Sequence, residues 1–329
     1  MNHRTTILLG ALALTFAAGL PAQTKKAYVA PRTSDGKPDL QGIWTNVTLT
    51  PLERPAFANG KATLTDADAA AFEKSAADMI SKYDGKAENP FADAAGSGGT
   101  GGYNALFVDR GTELARVNGM KRSSLVAEPA DGKVPPTTPE ARQRNAAVMR
   151  SYSKFDRAAD RPLGERCILG FGSTSGPPML PVMYNNNYQI VQTPTHVVIL
   201  VEMVHDARIV RIGGTHPPAD VRQWLGDSIG HWEGDTLVVE TMNFTDKTRF
   251  RGSSENLRVT ERFTRVDAET ILYKATMDDP STFTKPWTVE YPFRATAGPI
   301  YEYACHEGNY SLFDILGGAR KAEAEKEGK

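Results

Sequence analysis

The chain has 329 residues, 40% of them hydrophobic, with 38 Lys and Arg against 39 Asp and Glu, a formal net charge of −1. That length supplies a substantial core in one large domain or two small ones. So even a balance lacks the basic field that nucleic acid or an anionic membrane surface selects, which turns attention to small-molecule chemistry.

The N-terminus reads as a secretory signal over residues 1–22. Arg4 precedes an apolar run from Ile7 to Leu20 that is too short to span a membrane, and Leu20-Pro21-Ala22 offers a cleavage site before Gln23. No cysteine follows that site, so no lipid or membrane anchor is expected, and the protein is expected in the periplasm or outside the cell. Residues 23–38 form a polar leader with Pro31, Gly36 and Pro38.

A single barrel-like domain is expected over 39–310, with helical insertions at 63–83 and 138–152. In the first, Thr65 is a fitting N-cap, with Asp66 and Asp68 in the first turn. Glycine-rich 85–102 lacks the order of a phosphate loop and reads as a loop. Short strands are expected at 104–109 and 122–128. Thr138 and Pro139 then open the second helix as N-cap and first helical residue. From Tyr188 the hydrophobic period switches to two, predicting strands near 188–193, 197–204, 207–212, 227–232, 236–242, 257–265, 270–277 and 287–294. So many strands joined by short turns predict a mainly β fold, an antiparallel meander closed into a barrel. Alternation puts Leu257, Val259, Phe263, Ile271, Tyr273, Trp287, Tyr291 and Phe293 on one face. A polar helix or tail is expected over 311–329.

Two cysteines, Cys167 and Cys305, in an exported chain predict a disulfide, with two free thiols as the rival reading. The polar residues that interrupt the strands are the candidates for chemistry. Continuous alternation along 197–205 would set His205 on the face of Val197, Ile199 and Val201, at the mouth of an apolar cavity, as a general base. His231 shares a face with Asp227, which would orient it as the acid. Arg208, Asp206, Arg166 and the Tyr184, Asn185 and Asn187 group would hold substrate, with His306 and Tyr310 on the loop pinned by Cys305. The bland readings are a cross-strand Asp206–Arg208 ion pair and turn chemistry for Glu233-Gly234-Asp235. No cofactor motif is present. A divalent metal held by His205, His231 and His306 is the lesser alternative.

Gly42-Ile43-Trp44 followed by a strand meander resembles the start of lipocalin-like barrels. The stretches Gly36–Trp44, Tyr184–Thr193, His205–Arg208, Gly226–Asp235, Asn243-Phe244 and Cys305–Tyr310 together resemble a family of exported bacterial proteins of unassigned function, across nearly the whole mature chain. That resemblance carries no catalytic role to these residues. Two functional expectations follow. One is an exported lyase, isomerase or hydrolase acting on a small organic or sugar-like molecule by histidine acid/base chemistry. The other is a lipocalin-like carrier of an apolar or aromatic ligand.

Overall fold

The computed structural model of the chain describes residues 28–83, 109, 111–170 and 176–328. The signal segment, the start of the leader, the glycine-rich stretch and nearly all of the strand expected at 104–109 lie outside the described residues.

The strands from 187 onward form where the period-two pattern places them, except that β7 ends at Val201 short of the expected 204: β6 (Asn187–Gln192), β7 (His196–Val201), β8 (Ala207–Ile212), β9 (Asp227–Glu233), β10 (Thr236–Met242), β11 (Arg258–Asp267), β12 (Thr270–Asp278) and β13 (Trp287–Ala295). The Gly-x-Trp segment is β1 (Gly42–Thr45), and it closes the ring by pairing with both β6 and β13. The result is a closed, lipocalin-like barrel of nine strands. An odd ring cannot be antiparallel at every junction, because going once round must restore the starting direction. The exception is β8 against β9, a parallel pair, and the meander expected from sequence is interrupted there. Parallel neighbours need a crossover of roughly a dozen residues or more, which the 213–226 segment provides.

The earlier part of the chain packs on the outside. Short strands β2 (Thr63–Leu64), β3 (Arg116–Val117) and β4 (Met120–Arg122) make a small sheet, and β5 (Val126–Glu128) joins the edge of β13 beside β1. Three helices accompany them: α1 (Asp66–Tyr83), α2 (Pro139–Ser151) and α3 (Tyr310–Glu327). Thr138 caps α2 through a 3.1 Å bond from the Ala141 amide, with Pro139 in the first turn, as the sequence predicts. No helix among the described residues is long and apolar enough to cross a membrane.

The two ends of the barrel differ. One is closed by the tight turns β6–β7, β9–β10 and β11–β12 and by the leader, where Arg32 pairs with Asp235 at 2.8 Å and Arg265 donates to the Asp39 carbonyl at 2.7 Å. Trp44 is buried there, its indole N–H donating to Leu40 O at 2.9 Å and its ring lying 5.5 Å from the Arg265 guanidinium. The opposite end gathers the long connections: 46–62, 176–186, 202–206, 243–257 and 279–286. Trp44→Ala is expected to lower unfolding free energy by about 3–5 kcal/mol, the usual cost of emptying a buried aromatic site. Urea unfolding followed by circular dichroism measures it, and a loss under 1 kcal/mol would contradict a plugging role.

Candidate functional site

The expected histidine cluster is not assembled. Strand β7 stops at Val201, and residues 202–206 form a turn in which Val204 and His205 both take left-handed backbone angles, φ 62° and 60°. That turn resets the alternation. His205 therefore lies exposed on the turn instead of inside the barrel, and Arg208 takes the inward position. His231 is exposed near the β9–β10 turn and contacts Glu233 at 3.1 Å. Because β8 runs parallel to β9, with Ile212 opposite Gly230, His205 and His231 sit at opposite ends, separated by roughly 20 Å of strand at about 3.3 Å per residue.

Asp227 does not orient His231. It is buried, accepts two bonds from Arg211 at 2.7 and 2.9 Å, and contacts Nδ1 of His216 at 2.7 Å. Burial raises its carboxyl pKa, but the bonds from Arg211 and His216 outweigh that and hold it below the usual range. The crossover lays His216 over Asp227, a partner that strand alternation could not supply. His216 Nε2 is itself buried, so this pair presents no ring nitrogen to a substrate.

His306 and Tyr310 are exposed on and after the loop that follows Cys305, and Arg166 is half-buried on the segment preceding Cys167. Tyr184 stacks on Tyr303 with centroids 6.5 Å apart, and burial together with that neighbour pushes the Tyr303 hydroxyl up to about 12. Asn185 takes a left-handed turn angle, φ 56°, and the Asn187 amide donates to the buried Glu202 at 3.1 Å. Asp206 is half-buried in the turn. Among the described residues no group of three or more His, Cys, Asp or Glu side chains is arranged to hold a metal ion.

Two other polar constellations stand in their place. The first lies inside the barrel. Arg208 and Glu261, both buried, make a bidentate pair at 3.1 and 2.6 Å, and Tyr273 donates to Glu261 at 2.8 Å. Burial works against the charge on Arg208 and the adjacent Glu261 more than offsets it. The Met179 amide donates to Tyr273 at 3.0 Å, while its carbonyl accepts from Asn46 at 2.9 Å and from the Tyr291 hydroxyl. Tyr188, Phe263, Tyr273, Tyr291 and Phe293 pack ring against ring with centroids 4.9–6.5 Å apart. The barrel centre is thus built as a core and not as a ligand cavity.

The second constellation is a cleft of about 420 Å³ at the loop-bearing end. One wall is a single face of α2, where Asn145, Val148, Met149 and Tyr152 recur at helical spacing. Pro162, Leu163, Gly164 and Leu169 make the facing wall. Arg161 shapes that segment: it is buried, pairs with Glu165 at 2.8 and 3.0 Å, donates to the Tyr152 carbonyl, and lies 4.4 Å from the Phe155 ring. The expected disulfide joins Cys167 to Cys305, and Asn309 ties the two segments again through Glu165 O at 2.8 Å.

The rim is the turn Lys247-Thr-Arg-Phe-Arg-Gly252. Phe250 is buried against Trp287, centroids 6.1 Å apart, and Trp287 meets Phe283 at 5.8 Å. Arg249 and Arg251 flank this anchor, both left-handed at φ 50° and 48°. Such angles cost a non-glycine residue roughly 1–2 kcal/mol and persist only where surrounding contacts fix them. Gly252 is needed as glycine: at φ +81° its absent Cβ would lie 2.2 Å from Asn145 Nδ2. None of the side chains expected to carry chemistry lines this cleft. Its signal in the sequence is the run Lys247-Thr-Arg-Phe-Arg251, basic residues around an aromatic anchor with no acid between them.

Comparison with protein-family models, curated proteins and solved structures finds no match for this chain.

Removing one member of the central pair leaves a buried charge alone, so Glu261→Ala is expected to cost about 3–5 kcal/mol. The double variant Arg208→Met with Glu261→Leu is expected to regain most of that loss. Equilibrium unfolding of Arg208→Met, Glu261→Leu and their double variant completes a double-mutant cycle, and purely additive losses would refute the coupling.

Proposed function

We infer that the protein is an exported binding protein for a small organic molecule, and that its site is the cleft between α2, the 162–170 segment and the 247–252 turn. The observation that carries this reading is the cleft itself. At about 420 Å³, with Val148, Met149, Leu163 and Leu169 on its walls and its charged residues all on the 247–252 turn, it has the size and lining that small-molecule sites have. Tyr152 adds an aromatic face with a polar tip, suited to an aromatic or branched ligand body. The Cys167–Cys305 disulfide and the signal-like N-terminus support placement in an oxidising compartment.

The lumen of the barrel is a poor alternative site, because its aromatic rings and the Arg208–Glu261 pair already pack it. Acid/base catalysis by His205 and His231 would need them on one substrate, and their positions at opposite ends of the barrel weigh against that. The cleft walls carry no histidine and no carboxylate, so the arrangement favours binding over proton transfer.

Met149 is 66% exposed, so enlarging it fills the cleft without disturbing the core. A thermal-melt screen of aromatic and branched aliphatic compounds is expected to find ligands that raise Tm; one present at 100 times its Kd adds about 2.7 kcal/mol to stability. Met149→Trp is expected to keep the ligand-free Tm within 1–2 °C, a small change for a chain of this size, and to weaken those ligands at least tenfold. Unaltered affinity in Met149→Trp would rule out the cleft as their site.

A further inference from the structure

Three cations border the cleft: Lys247, Arg249 and Arg251. Most arginines around the described structure are matched, as Arg208 is with Glu261, Arg211 with Asp227, Arg161 with Glu165 and Arg262 with Glu233. Lys247, Arg249 and Arg251 make no ion pair and no side-chain hydrogen bond among the described residues. Asp246, on the same turn, is exposed and does not line the cleft. The turn is nonetheless a fixed element. Phe250 anchors it in the barrel mouth, the Thr248 hydroxyl donates to Trp224 O at 2.6 Å, and Gly252 packs directly on Asn145. Arg249 and Arg251, at left-handed angles, line the same space that Val148, Met149 and Leu163 line.

We propose that the ligand of this cleft is an organic carboxylate, its apolar body lying between α2 and Leu163 and its carboxylate held by Arg249 and Arg251 with Lys247 beside them. This rests on the cleft being the binding site and specifies what it takes. A guanidinium presents a planar fork of donors that matches a carboxylate, and an apolar wall on the other side lowers the local dielectric and strengthens the pairing. A neutral ligand of the same shape would leave the three cations with water alone. An anion with no apolar body would leave the walls uncovered.

The test uses matched pairs that differ only in the head group: benzoate and benzamide, naphthalene-2-carboxylate and naphthalene-2-carboxamide, octanoate and octanamide. Titration calorimetry on the full-length protein measures each. The carboxylate of at least one pair is expected to bind tenfold or more tightly than its amide, with the difference shrinking as sodium chloride rises from 50 to 500 mM. In the double variant Arg249→Gln, Arg251→Gln the ratio is expected to fall to near unity. Lys274→Gln, on the outer barrel face, is expected to leave the ratio as it is. Circular dichroism melts confirm that the variants are folded. Should any variant fail to fold, the salt dependence of the wild-type pairs decides the matter. Equal binding of acid and amide overturns the carboxylate assignment while leaving the cleft as a site. If no member of any pair binds, the cleft reading itself fails, and the assignment with it.

Discussion

The Arg208–Glu261 pair at the barrel centre is the interaction on which the rest of the architecture depends. An ion pair in such a place survives only when further hydrogen bonds saturate it, because desolvating two charges costs as much as their attraction returns. Here Tyr273 supplies the third bond to Glu261, and Tyr273 in turn receives the Met179 amide. Asn46 and Tyr291 take the Met179 carbonyl. One buried pair thereby fixes the backbone of the 176–180 segment across the loop-bearing end. The lumen is filled from within by polar groups and from the sides by stacked rings. The loop-bearing end is therefore where the ligand site is proposed.

Those loops are held by buried anchors more than by their own regularity. Phe250 and Phe283 meet on Trp287, Thr138 N binds Thr282 O at 2.9 Å to seat the start of α2, and Arg161 gathers carbonyls from the chain that leaves it. This division suits binding, since a rigid frame places side chains while surface connections vary. Among the described residues the opposite end offers tight turns with the leader bonded across them, which close the barrel.

Much of the frame was legible in the sequence because burial on one face of a strand writes a period of two. The strands from 187 onward, but for the end of β7, and the capped α2 followed from that pattern and from cap chemistry; Gly-x-Trp was marked only by its resemblance to lipocalin-like barrels. Two failures share one cause. Alternation is local, and the turn at 202–206 shifts the parity, so His205 was assigned inward and Arg208 was not. Glu261 falls at an inward register position between Val259 and Phe263, and the sequence reading passed over it, because alternation marks a face and does not say why a charge would sit on it. The Asp227–His216 pair and the cleft depend on segments that approach only after folding: a crossover laid over β9 in one case, and three stretches lying between residues 145 and 252 in the other. No periodicity reports such meetings.

The disulfide connects the two levels. Cys167 and Cys305 are 138 positions apart, and closing a loop of that length stabilises the folded chain by roughly 4–5 kcal/mol in the chain-entropy description. Its location matters more than its magnitude. Cys167 sits in the segment that makes one wall of the cleft, and Cys305 belongs to the stretch that Glu202 draws onto the barrel through the Tyr301 amide at 2.9 Å. The wall opposite α2 is thus fastened by a covalent link to a segment that is itself bonded to the barrel end. A loop wall held only by its own contacts would open locally with little cost, since irregular segments have few buried neighbours. Bound to the barrel through the disulfide, it can keep a fixed spacing from the Arg249 and Arg251 turn, which the ligand selection proposed for this cleft requires.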